Sequence, residues 1–307
     1  MYFPRLINSS ITGNKLCVIS YNSRGFSQEK YAFCNYLLSS EFCGPNVPVL
    51  CNQENFILRG NAYKIKQALS DHHILIKPAV KETTDKGRAK NGMFVAVPKE
   101  FRNKIQDVSP SHWRLQAVLL TCENATILLI NSYFPVDSKK ADADVHDLLE
   151  ALEVLKSVIE SNAFNALLLC GDLNADFLRK TVHCNTVMLT LDDLKLYSCW
   201  DDFPVDFTHY QERENNIPHV ATLDHFFLTE CLKNKVLDAG VFHSSENLSD
   251  HSPIYCTLDL KTLVINQKFE SILSLNPTGL SLLTFQNLLV DKTYMVWVKL
   301  NYRLRHK

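Results

Sequence analysis

Short apolar runs separated by Gly, Asn, Asp and Pro recur along most of this chain. The most informative is Ala166-Leu167-Leu168-Leu169-Cys170, which stops abruptly at Gly171-Asp172-Leu173-Asn174. Five apolar residues with no polar alternation predict a strand buried on both faces. Strands are predicted over 15–21 and 47–51, over runs rich in Val, Ile and Leu at 72–77, 92–98, 113–121 and 126–134, and near 207–210, 223–229, 236–242 and 254–258, which complete the set. A second rhythm is helical. Val145, Leu148, Leu149, Leu152, Leu155, Val158 and Ile159 follow i, i+3, i+4 spacing, so 141–161 is expected to be a helix with one apolar face. Tyr31, Cys34, Leu37 and Leu38 do the same within 29–40, and 191–197 is also read as helical.

Strand pairs joined by short turns, with helices between them, predict two packed sheets flanked by helices, an α/β class. Residues 15–261 form the expected domain. Residues 1–14 read as a loosely ordered leader. Residues 262–307 read as an appended, weakly folded tail, because its partly apolar stretch 280–302 is interrupted by Asp291, Lys292 and Lys299.

Composition narrows the class without naming a function. The chain has 307 residues, 46% hydrophobic and 21% charged, with only 9 Gly and 11 Pro, which excludes low-complexity and collagen-like chains. No apolar stretch reaches the length of a membrane span. The formal net charge is −1, so no overall basic field advertises nucleic acid. Charge is uneven, however. Lys77, Lys81, Lys86, Arg88, Lys90, Lys99, Arg102 and Lys104 outnumber Glu82, Asp85 and Glu100, a surplus that suits a polyanion or simply a solvated edge. The ten cysteines include no CxxC pair and no zinc-like spacing. With no signal peptide at the N-terminus, a reducing intracellular compartment, nucleus or cytoplasm, is expected. The sequons at Asn8, Asn124 and Asn247 then carry little meaning.

The candidate chemistry lies where apolar runs begin or end. Asn22 follows Val-Ile-Ser-Tyr, Glu54 follows Val-Leu-Cys-Asn-Gln, and Tyr133 closes Ile-Leu-Leu-Ile-Asn-Ser. Asp172 and Asn174 close the run described first, Asp224 opens Asp-His-Phe-Phe-Leu, and Asp250-His251 precedes Ser-Pro-Ile-Tyr. Each alone reads as a cap or turn residue, and Gly-Asp-Leu-Asn alone reads as a turn. Together they suit phosphodiester hydrolysis at the rim of a sheet. Two residues apart on a strand, Asp172 and Asn174 are expected on one side. Glu54 offers oxygen to a hard divalent cation, and Asp172 can orient a water, with Asn174 fixing its geometry. Asp224 would set the tautomer of His251 and raise its pKa, while Tyr133 and Asn22 add neutral donors.

In order and spacing, Asn22, Gln53-Glu54, Asn131-Ser132-Tyr133, Gly171-Asp172-Leu173-Asn174, Leu223-Asp224-His225 and Ser249-Asp250-His251 resemble the endonuclease/exonuclease/phosphatase superfamily. The resemblance implies a DNase I-like, four-layer α/β sandwich with a metal site at one end of its paired sheets. It implies Glu54 and Asp250 as metal ligands, Mg²⁺ or Mn²⁺ as the cation, and Asp172 as the water-activating acid. Asn22 and Asn174 become positioners, Asp224 the carboxylate that orients His251, and Asp250-His251 the closing pair. The stretches Ile-Ser-Tyr-Asn-Ser-Arg-Gly-Phe, Leu-Cys-Asn-Gln-Glu-Asn and Asn91-Gly92-Met93-Phe94-Val95-Ala96-Val97 are most like the apurinic-like endonuclease domain of non-LTR retrotransposons. That likeness implies DNA as partner and nicking that leaves a 3′-hydroxyl. Arg24 departs from the pattern, since an acidic or amide residue is usual two positions after the first Asn in abasic-site repair enzymes. His225 stands where Tyr is common. Two other readings stay open: a phosphatase, deadenylase or sphingomyelinase of the same superfamily acting on RNA or small phosphoesters, and a catalytically silent binding remnant.

Overall fold

The computed structural model describes residues 15–81, 89–123, 125–137, 142–212, 218–261 and 263. The leader and nearly all of the tail fall outside these residues. Twelve strands build two six-stranded sheets. The first holds β1 (Lys15–Asn22), β2 (Val47–Gln53), β3 (His72–Lys77) and β4 (Met93–Pro98). The second holds β5 (Ile105–Asp107), β6 (Leu115–Thr121), β7 (Thr126–Tyr133), β8 (Ala166–Asp172), β9 (Tyr197–Ser198) and β10 (Asp224–Leu228). The last two strands, β11 (Val236–Val241) and β12 (Ile254–Asp259), return to the first sheet.

The strand orders are β11-β12-β1-β2-β4-β3 and β9-β10-β8-β7-β6-β5. Each sheet has one parallel pair at its centre, β1 with β2 and β8 with β7, flanked by antiparallel neighbours. The central strands are covered on both faces, which explains their unbroken apolar runs. In β8, Ala166, Leu168 and Cys170 face the other sheet, whereas Leu167 and Leu169 face the helices Asp142–Ser161 and Val182–Asp193. In β1, Leu16 and Val18 enter the core between the sheets, while Cys17, Ile19 and Tyr21 pack on the helical side with Phe33, Cys34 and Leu37. Three apolar layers therefore separate four layers of secondary structure. Among the described residues no helix is long and apolar enough to cross a membrane.

Along the four central strands the inward positions change character at the same end. They read Leu16-Val18-Ser20-Asn22, Val47-Val49-Cys51-Gln53, Ile127-Leu129-Asn131-Tyr133 and Ala166-Leu168-Cys170-Asp172. The core between the sheets thus ends in a polar lattice. Gln53 Nε2 donates to Asn131 Oδ1 at 2.6 Å and to Ser20 Oγ at 2.9 Å, and Asn131 Nδ2 donates across to the Asn52 carbonyl at 3.1 Å. Buried amides joined in this way lock the sheets in one register, because each unmade bond costs about 1–3 kcal/mol. Asn131→Ala removes the shortest of the Gln53 amide's bonds and the donor to the Asn52 carbonyl, and should lower stability by about 2 kcal/mol in urea unfolding. A loss below about 0.5 kcal/mol would show that the lattice does not hold the sheets.

Two helical expectations are corrected. The segment 29–40 is not one helix. Gln28–Leu37 stops, and Ser39 accepts from the Phe42 N–H to cap a second short helix, Ser40–Cys43. The helix expected over 191–197 begins much earlier, capped by Thr181, and runs over Val182–Asp193. Lys195 then takes φ +53°, and Tyr197–Ser198 pairs with β10 as an edge strand. The basic stretch is not one surface either. Lys77 Nζ points inward to the carbonyls of Pro110 and Leu115 at 2.6 and 2.8 Å, and burial pushes its pKa down to about 8. Lys86, Arg88, Glu82 and Asp85 fall outside the described residues.

Candidate active site at the shared rim of the two sheets

Strand register gathers the candidates of each sheet, and the packing of the two sheets brings the sets together. Asn22 lies opposite Gln53 at the end of the β1–β2 pair, and Asp172 lies opposite Tyr133 at the end of the β8–β7 pair. Asp172 also pairs with Asp224 at the start of β10, and β12 begins just after Asp250-His251. All eight candidates therefore meet at one rim.

Asp172 is the centre. Only 1% exposed, it accepts from Asn22 Nδ2 at 2.9 Å, from the Asn174 N–H at 2.8 Å and from Asn174 Nδ2 at 3.3 Å. Burial pushes its pKa up to about 7, with Asp224 and Glu54 adding to the rise and His251 and the Asn174 N–H opposing it. Asn174 reaches Asp172 by a different route from the one the strand spacing suggests. The strand continues through Asp172 and then ends, and Asn174 turns into the left-handed region at φ +48°. The turn reading and the site reading of Gly-Asp-Leu-Asn hold together, because the turn is what folds the amide back onto the carboxylate.

Gly171 makes this possible. Its φ is +139°, and an added Cβ would lie 1.9 Å from the Ser132 carbonyl oxygen of β7. Arg24 and Glu54, both non-glycine, likewise take positive φ at the ends of β1 and β2. Such conformations cost free energy and persist where the surrounding structure enforces them.

The opposite wall is a carboxylate–imidazole pair. His251 Nδ1 donates to Asp224 Oδ2 at 2.8 Å, and its Nε2 lies 3.8 Å from Asp172 Oδ2. Asp224 is held in turn. Its N–H donates to Thr208 Oγ1 at 3.0 Å, and its carbonyl accepts from Trp200 Nε1 at 3.1 Å. Burial alone would push His251 down, but Asp224, Asp172 and Glu54 outweigh it and raise the pKa to about 9. The loop carrying His251 is tied to β1, since Ser249 Oγ donates to the Asn22 carbonyl at 2.8 Å and Tyr21 Oη donates to Asn247 Oδ1 at 2.8 Å. Asn247, the third sequon, is thus a structural strut.

Because the folded-state pKa of His251 lies above the ordinary 6.5, its contribution to stability is present in full below pH 6.5 and lost as pH rises through 9. In metal-free buffer the protein should unfold at lower urea at pH 9.5 than at pH 6.5. NMR of labelled histidine should place the His251 midpoint near 9, and Asp224→Asn should lower it by about one unit or more. A midpoint near 6.5 in the unsubstituted protein would contradict the pairing.

The remaining candidates line the rest of the rim. Glu54 lies against the Tyr133 hydroxyl, and burial together with Glu54 and Asp172 raises the Tyr133 pKa well above the ordinary phenol. Arg114 supports that tyrosine from behind, donating to its carbonyl at 3.2 Å while its guanidinium stacks on Trp113 and pairs with Asp147. Asp250 Oδ2 meets the Arg24 guanidinium and lies 3.4 Å from His209 Nε2. Asp224 Oδ1 and Asp250 Oδ1 are buried without a hydrogen-bond partner. Oxygens of this kind fit a hard divalent cation. Two groups of ligand atoms lie within 4.8 Å of one another, Asp172-Asp224-His251 and His209-Asp250-His251, and Glu54 joins neither among the described residues. Thr208, His209, Trp200 and Arg114 carry no strand-end signal in the sequence, which is why sequence reasoning passes over them.

No family model matches this chain, and no curated protein matches it. Solved structures do. The AP endonuclease LMAP from Leishmania major superposes with a TM-score of 0.64 at 15% identity, covering 80% of this chain and 88% of its own. The chain has a DNase I-like fold. The catalytic domain of APE2 from Xenopus laevis gives a TM-score of 0.60 at 13% identity, covering 82% and 94%. The endonuclease domain of TRAS1, a telomere-specific non-LTR retrotransposon, gives 0.57 at 15% identity, covering 80% and 99%. This DNase I-like chain shares with them its two mixed sheets and flanking helices, the architecture expected from the sequence.

Proposed function

We propose that this chain is a divalent-cation-dependent phosphodiesterase that nicks DNA and leaves a 3′-hydroxyl, derived from a retrotransposon endonuclease. The observation that carries this reading is the facing pair at the rim: Asp172, pinned by Asn22 and Asn174, stands opposite His251 on Asp224. A carboxylate with a pKa of about 7 is poised at neutral pH to accept a proton from water. Asn22 and the Asn174 N–H hold both of its oxygens, so the water it takes up is aimed rather than free. His251 is protonated at neutral pH, and its Nε2–H is free to donate to a non-bridging phosphate oxygen as negative charge builds there. The Tyr133 hydroxyl stays neutral and offers a second donor. Glu54 and Asp250 would hold Mg²⁺ or Mn²⁺, which would neutralise the phosphoryl oxygens and stabilise the leaving oxygen.

DNA as substrate rests on the kinship of fold with AP endonucleases and the TRAS1 domain. Ten free cysteines, most of them buried, suit work in a reducing nucleus or cytoplasm. The nature of the ends provides a test. A labelled duplex cut in Mg²⁺ should yield nicks that a DNA polymerase extends without further treatment. Nicks that resist extension until a phosphatase is added would overturn the 3′-hydroxyl assignment. Release of phosphate from small phosphoesters with the duplex untouched would move the substrate to the phosphatase branch.

A further inference from the structure

Asp250, a carboxylate that should face the cation, already has a cationic partner. The Arg24 guanidinium pairs with its Oδ2, and His209 Nε2 lies 3.4 Å from the same oxygen, while Oδ1 is buried and bare. Arg24 is placed there by its backbone. It follows Asn22 and Ser23 at the end of β1, takes φ +46°, and donates its N–H to Asn22 Oδ1 at 3.0 Å. Lys30 Nζ fixes the same turn, donating to the carbonyls of Ser23 and Arg24 at 2.6 and 3.2 Å. The turn is rigid and the side chain is free at its outer end, for Arg24 is 56% exposed and Asp250 15%. The guanidinium can therefore leave without unfolding anything.

We propose that Arg24 is a positioning residue that sets cation affinity by contending with the divalent ion for Asp250; this rests on the phosphodiesterase reading of the rim. A unit positive charge beside a ligand carboxylate opposes a dication in two ways. It occupies one of the two ligand oxygens, and it repels the incoming charge. The site then binds its cation weakly unless an anion draws the guanidinium away, and a phosphodiester is an anion that a planar guanidinium grips through paired donors. Arg24 thus couples cation and substrate: each favours the arrangement in which Asp250 faces the cation and Arg24 faces the phosphate.

The test is Mn²⁺ binding to the full chain without DNA, read by the loss of the free-ion signal in electron paramagnetic resonance. Arg24→Gln should bind Mn²⁺ about tenfold more tightly than the unsubstituted protein. Arg24→Lys keeps the charge and should stay near the unsubstituted affinity. Asp250→Asn combined with Arg24→Gln should lose the gain. A purely structural role for Arg24 predicts the opposite sign, since a disturbed site binds worse. Unchanged or weaker binding by Arg24→Gln, with thermal unfolding intact, overturns the proposal, as does tighter binding that survives in the double variant. The readout contains no DNA, so failure to cleave DNA alongside tighter Mn²⁺ binding would count against the phosphodiesterase reading and leave the role of Arg24 standing.

Discussion

Asp172→Asn should lower DNA nicking by about a thousandfold while leaving the protein folded and able to bind DNA. The amide is nearly the size of the carboxylate and can keep the Asn174 N–H as a partner, but it cannot take a proton from water. It also puts an amide N–H where Asn22 Nδ2 now donates to Oδ2 at 2.9 Å, so the pair that aims Asp172 is broken as well. The loss should fall on kcat with little change in KM, because the group acts on the water and not on the resting contacts with DNA. A matched loss in KM alone would mean that Asp172 only shapes the rim. His251→Ala should act in the same sense, and combining the two should cost less than the sum of their separate losses, since both serve one reacting phosphate.

Gly171→Ala should be the most damaging Gly→Ala change among the described residues. The added Cβ would lie 1.9 Å from the Ser132 carbonyl oxygen, which is backbone in the central strand β7 and cannot swing aside as a side chain can. The φ of +139° is closed to L-residues in any case. Relief requires β8 to move away from β7, at the parallel pair that carries Asp172 opposite Tyr133. A loss of about 3 kcal/mol or more is expected in urea unfolding, together with loss of activity. Gly44→Ala provides the control, because its Cβ would meet nothing within 4 Å although its φ is also positive. Similar stability for the two variants would mean that the close approach of β8 and β7 is not what demands glycine at 171.

Sequence pattern revealed the architecture where one signal dominated. The helix expected over 141–161 is observed as Asp142–Ser161, because its apolar residues repeat at helical spacing without interruption. The expected strand 72–77 matches His72–Lys77 end to end. The helix Val182–Asp193 was hidden for a physical reason. His183, Thr186 and Thr190 are buried on it, and the two threonines satisfy themselves by donating back to the carbonyls of Val182 and Thr186. Buried polar positions of this kind erase the apolar rhythm while leaving the helix intact.

The rim shows the same division. Asn22, Glu54, Tyr133, Asp172 and Asp224 could be picked out because each stands where an apolar run stops or starts; parallel register aligns the ends within each central pair, and antiparallel pairing sets Asp224 beside Asp172. What no local pattern encodes is the set of pairs between segments far apart in the sequence. Arg24 and Asp250 are 226 positions apart, and Gln53 and Asn131 are 78 apart. Thr208, which accepts from the N–H groups of both Leu223 and Asp224, sits in a stretch with no distinctive spacing. The chemistry of single residues was legible. Of their partnerships, Asp224 with His251 and Asp172 with Asn174 were expected, and the others belonged to the fold.

The most direct measurement is the conversion of supercoiled plasmid to open circles by the purified full chain, with Mg²⁺ and with EDTA. Open circles should form in Mg²⁺, vanish in EDTA, and be lost with Glu54→Ala, Asp172→Asn and His251→Ala. Plasmid left supercoiled by the unsubstituted protein in both Mg²⁺ and Mn²⁺, or nicking that persists in EDTA or in those variants, would contradict a cation-dependent phosphodiesterase at this rim.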